Sequence, residues 1–104
     1  MITMISMLKR REDLTFEEFV DWYENHAEAA TGIPGLRHYY VNIATSGDQE
    51  WDALSMLSFD DEEALESAMN GAAGERSRAD TRAHISRREV VYVNRKQIEI
   101  PLNA

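Results

Sequence analysis

The chain of 104 residues has no cysteine, only two prolines and no long run of apolar residues. Without cysteine it cannot form disulfides, use a thiolate nucleophile or offer a sulfur ligand to a metal. A membrane-spanning helix needs about 20 apolar residues, which the sequence lacks. The apolar opening over residues 1–8 lacks the basic leader and cleavage site of a signal peptide. We therefore predict a cytoplasmic protein without a membrane partner.

Lysine is also scarce, since Lys9 and Lys96 are the only two. The 19 acidic residues outnumber the 11 basic ones, which gives a net charge of −8. A negative field of this size repels a phosphate backbone, so the sequence predicts no nucleic-acid partner. Acid enrichment with little lysine is typical of proteins from high salt, where screening weakens repulsion between carboxylates. A GC-rich genome that favours arginine explains the composition equally well.

The length allows one domain, which we place over residues 1–104. A helix begins after Thr15, because Thr15 and Glu18 have the spacing of a capping box. The residues that follow repeat at helical spacing and form one apolar stripe of Phe16, Phe19, Val20, Tyr23, Ala27 and Ala30. The helix ends near Gly32, before the turn at residues 33–35.

The remaining pattern predicts four strands and a second helix. The strands cover residues 2–8, 36–44, 51–59 and 89–93, and they are rich in β-branched, aromatic and other apolar residues. Asp60 with Glu63 is the expected start of the second helix, and the arginine-rich stretch 74–85 is a weaker helix candidate. The order βαββαβ predicts a ferredoxin-like α+β fold with a four-stranded antiparallel sheet.

This topology places both helices on one face of the sheet and leaves the other face uncovered. Three of the predicted strands are apolar on both sides, which is unusual for a solvated face. We therefore expect a homodimer, a dimeric α+β barrel in which two sheets face each other around a cavity for a small molecule. The tail, residues 94–104, is a candidate contact with the partner subunit.

Several motifs in this order resemble the EthD family, a member of the dimeric α+β barrel superfamily. The matching segments are Leu8-Lys9-Arg10-Arg11, Leu14 to Phe19, Trp22-Tyr23, His26-Ala27, Ile33 to Tyr39 and Ser58 to Leu65. The resemblance implies a homodimer whose cavity is lined by the first helix and the sheet. It also implies work on small organic molecules, such as ether degradation or the isomerisation, cyclisation and dehydration of aromatic and polyketide compounds.

His26 is the main catalytic candidate. It lies beside Trp22 at the edge of the apolar stripe, and the resemblance matches it to a family histidine near the end of the first helix. An imidazole suits general acid–base catalysis at neutral pH. Tyr39 is the second catalytic candidate, because a phenol on strand two can orient or polarise a substrate oxygen. Candidate substrate-binding residues are Trp22, Tyr40, His38, Trp51 and Met56.

Alternation along strand two separates Tyr39 from His38 and Tyr40, and the sequence leaves open which face lines the cavity. Asp80 and His84 are spaced i, i+4, which favours a surface hydrogen bond over a catalytic pair. The arginines of residues 76–88 alternate with acids and are interpreted as a solvated face or as partners in salt bridges between subunits. The three histidines lack the spacing of a metal site.

The leading functional hypothesis is an enzyme without a cofactor that acts on a small, largely apolar, oxygen-bearing compound. His26 would move a proton while a strand-two tyrosine orients the substrate. Alternatives are an oxidoreductase, either a cofactor-free monooxygenase or a barrel that binds haem through a histidine, and a ligand-binding module without catalysis. A dimer whose cavity is filled by methionine and aromatic side chains is the purely structural alternative.

Overall fold

A computed structural model describes residues 1–102. Four strands form one antiparallel sheet in the order β2-β3-β1-β4, which confirms the ferredoxin-like α+β fold. The elements are β1 (Ile2–Arg10), α1 (Phe16–Ala30), β2 (His38–Ile43), β3 (Ala53–Phe59), α2 (Glu62–Asn70), α3 (Ala72–His84) and β4 (Ile85–Val93). None of the helices in this part of the chain combines the length and apolar character needed to cross a membrane.

The capping box predicted for α1 is present. The Glu18 backbone N–H donates to Thr15 Oγ1 at 3.1 Å, and the Thr15 N–H donates to Glu18 Oε1 at 2.9 Å. The predicted start of α2 is wrong by one residue, because Asp61 and not Asp60 accepts the free N–H of Ala64. Both neighbouring acids satisfy the local cap rule, and the Asp60 carboxylate instead pairs with the Arg37 guanidinium at 2.9 Å.

The last helix and strand differ most from the predicted bounds. The arginine-rich stretch forms the 13-residue helix α3, and β4 begins at Ile85 rather than Glu89. The first half of β4 is charged and lacks the apolar pattern of a strand, so the sequence did not predict it. This half pairs with the end of β1 as far as Arg10. Strands β2 and β3 are each shorter than predicted. Residues 94–102 form no helix or strand, and the last two residues of the predicted tail lie outside the described residues.

The helices pack on one face of the sheet, and two apolar clusters lie between the layers. One contains Met4, Ala30, Ile33, Leu57, Phe59, Leu65 and Ala68, and the other contains Leu8, Phe19, Tyr23 and Ala53. The two clusters are separated by Ser6 and Ser55, which are register partners in the two central strands and are both buried. A serine pair in the middle of the helix-facing surface leaves room that larger side chains would fill.

The opposite face of the sheet has no helix against it. Register pairs place Ile5 beside Met56 and Val91, and Met7 beside Leu54, on this open face. Val91 is 47% exposed. The uncovered apolar face predicted from the sequence is therefore present in the isolated chain.

Candidate active site

A cavity of about 90 Å³ lies between the helices and the sheet, above the Ser6–Ser55 pair. Its walls come from all four strands and all three helices, and they include His26, Tyr39 and Thr81. A groove of about 300 Å³ on the helix side shares His26, Ile33 and Ser77 with the cavity. The apolar pattern predicted a pocket on the uncovered face between two subunits, whereas the family resemblance implied a cavity lined by the first helix and the sheet. The cavity within this chain lies on the helix-covered face and includes His26 of α1, because small polar residues interrupt the core there.

His26 forms a short hydrogen bond with Asp80 at the wall of the cavity. His26 is one of four buried residues of α1, and its Nδ1 lies 2.7 Å from Asp80 Oδ2. The His26 side chain is 8% exposed, whereas that of Asp80 is 44% exposed. Burial raises the pKa of the Asp80 carboxyl, but hydrogen bonds from His26 and Trp22 outweigh this effect and lower the pKa overall. An ionised Asp80 accepts from His26, so the hydrogen of the neutral ring is on Nδ1.

The other ring nitrogen, His26 Nε2, faces hydroxyl groups of α3. Thr81 Oγ1 lies 3.2 Å from Nε2, and Ser77 Oγ lies 3.4 Å from it. Thr81 donates its own hydroxyl proton to the Ser77 carbonyl at 2.9 Å. The Thr81 oxygen therefore points its lone pairs at Nε2, and it can accept a hydrogen bond from Nε2 when that nitrogen carries a proton. Nδ1 therefore faces a carboxylate, and Nε2 faces two hydroxyl oxygens at the cavity.

Trp22 fixes this pair from the side away from the cavity. Its ring stacks on His26 with a centroid distance of 4.9 Å and on His84 with a centroid distance of 4.5 Å. Trp22 Nε1 donates to Asp80 Oδ2 at 3.1 Å, so the same carboxylate oxygen accepts from Trp22 and His26. His84 Nδ1 bonds to the Asp80 backbone carbonyl at 2.8 Å and lies 3.5 Å from Asp80 Oδ1. Two side chains, Trp22 and His26, therefore hold the Asp80 carboxylate in one orientation.

Tyr39 lines the same cavity from β2. Its register partner is Leu57, which faces the helices, so the Tyr39 side chain lies on the helix-covered face. Burial raises the pKa of the Tyr39 phenol, and a hydrogen bond with Ser55 only partly opposes this. The hydroxyl consequently remains protonated at neutral pH and can donate to a substrate oxygen.

The structure brings His26 and Tyr39 together and separates the other candidates from them. Trp22 contacts His26 but does not line the cavity. His38, Tyr40 and Met56 lie on the open face of the sheet, since His38 pairs with Ser58 and Tyr40 with Met56. Trp51 lies just before β3, and the Arg87 guanidinium is 4.4 Å from the centre of its ring. A substrate-binding role for His38, Tyr40, Met56 and Trp51 stays a prediction and requires a site on the open face.

The sequence analysis missed the role of Asp80 and the two hydroxyl groups on α3. It interpreted Asp80 as a surface partner of His84, whereas the closer contact is with His26. The available signal was the spacing of Ser77, Asp80 and Thr81, which places three polar residues on one side of a helix. The solvated-face interpretation of the arginines is also wrong for Arg78, because it is half-buried and lines the cavity.

The site does not fit a haem. A porphyrin is much larger than a small organic substrate, and the cavity of about 90 Å³ beside His26 Nε2 does not accommodate it. Within residues 1–102, no three histidine, aspartate or glutamate side chains are arranged to hold a metal ion.

The Asp80 interactions lead to a prediction for acid stability. The pKa of Asp80 is lower in the folded protein than its ordinary value of about 3.9 in the unfolded chain. Ionised Asp80 therefore stabilises the fold at a pH above about 3.9, and this contribution disappears as the pH falls through the lowered pKa of the folded protein. We expect Asp80→Asn to be less stable than wild type at pH 6, with the difference closing below about pH 4. Urea unfolding at pH 6, 4 and 3 measures it. Asp21→Asn, exposed on α1, should show no such pH-dependent difference, and a difference for Asp80→Asn that is constant with pH would contradict the prediction.

Solved structures with the same fold come from several bacteria. An EthD family protein from Bacillus halodurans is 24% identical with a TM-score of 0.75, over 92% of this chain and 99% of the other. A dimeric ferredoxin-like protein of unknown function from Bacteroides fragilis is 17% identical with a TM-score of 0.73, over 88% and 93%. SnoaB, a cofactor-independent oxygenase from Streptomyces nogalater, is 14% identical with a TM-score of 0.71, over 93% and 94%.

A comparison with curated protein sequences finds no match. The family model for the EthD domain matches residues 11–87, which is most of the chain. The matched range contains α1 with His26, β2 with Tyr39 and all of α3 with Asp80. The sequence match and the shared fold agree, and this protein belongs to the EthD family.

Proposed function

We propose that the protein catalyses proton transfer on a small, largely apolar, oxygen-bearing organic molecule, as in an isomerisation or cyclisation. The observation that carries this proposal is the buried His26 at the wall of a cavity, with its Nδ1 2.7 Å from the partly exposed carboxylate of Asp80. A histidine with one nitrogen fixed by a carboxylate and the other directed toward a site is a typical arrangement for general base catalysis. The cavity beside His26 has room only for a small substrate.

In this mechanism His26 Nε2 removes a proton from a C–H or O–H group of the substrate. The resulting imidazolium is stabilised by the Asp80 carboxylate at Nδ1 and by the Thr81 oxygen at Nε2. The Tyr39 hydroxyl donates a hydrogen bond to the substrate oxygen where negative charge develops. Return of the same proton to another atom of the substrate gives an isomer, regenerates neutral His26 and requires no oxidant.

Proton exchange into D₂O measures this step without knowledge of the final product. Small enolisable ketones, lactones and phenols are incubated with the protein, and loss of each C–H signal is followed by ¹H NMR. We expect the wild-type protein to accelerate exchange in at least one compound, and His26→Gln to slow it about 10²- to 10⁴-fold because the general base is lost. Asp80→Asn should slow exchange to a smaller extent, since it removes only the group that orients the ring.

Asp21→Asn on the exposed side of α1 is the matched control and should exchange like wild type. Urea unfolding of each variant at pH 7 separates loss of the base from loss of the fold. A His26→Gln protein that is folded and exchanges at the wild-type rate would rule out His26 as the base. Absence of exchange in every compound, together with tight binding of one of them, would favour a ligand-binding module.

Proton removal by His26 would also be the first step of a cofactor-free oxygenation, the activity named for SnoaB. The two reactions differ in their consumption of oxygen. An oxygen electrode with any compound that shows exchange therefore separates them. Turnover without oxygen uptake supports isomerisation, and stoichiometric uptake supports the oxygenase.

We also propose that the protein works as a homodimer joined through the open face of the sheet. Ile5, Met7, Leu54 and Met56 form a continuous apolar surface there, and the helices cover only the other face. The fold neighbour from Bacteroides fragilis is described as dimeric. Apolar surfaces of this kind are normally covered in soluble proteins, and a second copy presents the same surface.

Light scattering coupled to size-exclusion chromatography tests the dimer at physiological salt. Met56→Asp places a carboxylate at the centre of the open face, where an unpaired buried charge costs about 3–5 kcal/mol. We expect the dissociation constant to rise at least about 100-fold, which yields monomers at micromolar concentration. Ala79→Asp adds the same charge on the exposed side of α3 and should leave the dimer intact. A monomeric wild-type protein would refute the proposal.

A further inference from the structure

Three arginines line the cavity opposite the apolar cluster residues. Arg78 and Arg82 come from successive turns of α3, and Arg88 comes from β4, where it pairs with helix-facing Leu8. Arg88 Nη2 donates to Ser6 Oγ in the cavity floor at 3.2 Å. Three cations thus converge on one small cavity in a chain with a net charge of −8.

These guanidinium groups have no carboxylate partner in the described part of the chain. Among residues 1–102, every salt bridge within 4.0 Å involves other basic residues. Asp80, which lies between Arg78 and Arg82 in the sequence of α3, is bound to His26 and Trp22. Glu89, beside Arg88, pairs with Met7 and so points to the open face. The interleaved acids therefore do not neutralise this cluster.

Arg78 supplies a second and independent observation. Its Nε is the one buried side-chain nitrogen or oxygen among residues 1–102 that has no hydrogen-bond partner. A buried N–H without an acceptor costs free energy, and such groups usually point to a missing ligand or water. Arg78 is half-buried, and the cavity that it lines also contains Ser77 and Thr81.

The three positive charges also act on one another. Partial burial lowers the pKa of the Arg88 guanidinium; Tyr92 opposes this shift, and the charges of Arg78 and Arg82 add to it. Arg82 and Arg88 are exposed, so water weakens this repulsion, and only the half-buried Arg78 carries its charge partly out of water. An anion bound between them removes the repulsion and supplies the missing acceptor.

We infer that the substrate of this site carries a carboxylate, which binds to Arg78, Arg82 and Arg88 while the reacting part of the molecule reaches His26. This inference rests on the proposed proton-transfer function for the role of His26, but the binding of the carboxylate does not. A planar carboxylate accepts two parallel hydrogen bonds from a guanidinium, and it is small enough for a cavity of about 90 Å³. The substrate is then a small organic acid, and its apolar part faces Met4, Ile33 and Leu57.

NMR of the arginine Nε–H groups tests the inference directly. Benzoate and the smaller acetate are titrated into ¹⁵N-labelled protein, with benzyl alcohol as the neutral counterpart of benzoate. We expect at least one carboxylate to bind saturably and to shift the Arg78 Nε–H signal, which Arg78→Gln identifies. Benzyl alcohol should bind at least about tenfold more weakly, because it offers no charged acceptor.

Arg88→Gln should weaken carboxylate binding about tenfold, and Arg82→Gln should act in the same direction. Arg87→Gln is the matched control, since Arg87 is the neighbour of Arg88 on the opposite face and pairs with Glu50. His26→Gln should retain carboxylate affinity, so normal binding with no proton exchange separates failure of the base from failure of this inference. Equal binding of benzoate and benzyl alcohol, no saturable shift with either carboxylate, or equal weakening by Arg87→Gln and Arg88→Gln would overturn it. Equal affinity for inorganic phosphate would overturn the assignment to carboxylates.

Discussion

Replacement of Asp52 by alanine is expected to destabilise the fold by about 3 kcal/mol or more, a large part of the ~5–15 kcal/mol available to a domain. The Asp52 side chain is fully buried just before β3. Its two carboxylate oxygens accept from Arg10, at 2.6 Å from Nη1 and at 2.8 Å from the backbone N–H. Removal of the carboxylate leaves both donors of Arg10 without this acceptor, which is costly in a buried position.

We expect the loss of unfolding free energy in Asp52→Ala to be near the lower end of the range found when one member of a buried ion pair is removed. The reason is that Arg10 is 22% exposed, so water can reach it. Urea unfolding at a single protein concentration measures the change, since a dimer's stability depends on concentration. Asp48→Ala, in the exposed loop before β3, is the control and should change the free energy of unfolding by less than about 0.5 kcal/mol. A similarly small change for Asp52→Ala would show that the buried pair contributes little.

Replacement of Gly74 by alanine should destabilise the protein by about 2–3 kcal/mol, although alanine favours a helix by about 1 kcal/mol. Gly74 is buried where α3 crosses the end of α2. A β-carbon at Gly74 would overlap the Ala68 carbonyl oxygen and lie 2.8 Å from the Met69 Cα. Both neighbours are backbone atoms, so α3 has to move away from α2. Since α3 carries Asp80, proton exchange should also slow.

Gly71→Ala is the matched control for Gly74→Ala. Gly71 has a φ of −78°, which alanine adopts without strain, and the nearest atom to an added β-carbon is 3.4 Å away. We expect a change between zero and about 1 kcal/mol of stabilisation, because alanine restricts the unfolded chain. Thermal unfolding of both variants measures the contrast. If the two substitutions had equal effects, close contact at Gly74 would not be the cause.

The location of the cavity within the core has a consequence for stability. Ser6 and Ser55 occupy central positions of the sheet where apolar residues would pack better, and the buried Tyr23 hydroxyl bonds to Ser55 at 2.6 Å. A site on this face is shielded from water by α1 and α3, which strengthens the electrostatic interactions of His26. The same shielding applies to the half-buried Arg78, whose Nε has no acceptor, although Arg82 and Arg88 are exposed. We therefore expect an anionic ligand to stabilise the protein.

Local sequence signals determined the elements that depend on neighbouring residues. The capping box at Thr15, the apolar stripe of α1 and the turn at Pro34-Gly35 use interactions within a few residues, so the sequence predicted them correctly. The element order βαββαβ followed from the pattern of apolar residues, and the uncovered face followed from that order. The start of α2 was missed by one position, because Asp60 and Asp61 are equivalent by local rules and only the contact of Asp60 with Arg37 separates them.

By itself, the sequence determined the fold class, the family and His26 as the acid–base candidate, because periodicity and motif spacing are properties of the chain. Only the tertiary structure decided the composition of the site. Asp80 lies 54 residues from His26, and their contact depends on how α3 packs against α1. The cavity face was decided in the same way. Alternation along β2 already puts Tyr39 and Tyr40 on opposite sides, but only the register of β2 with β3 shows that Tyr39 is the one that faces the helices. Contacts between distant segments come from packing, and no spacing rule encodes them.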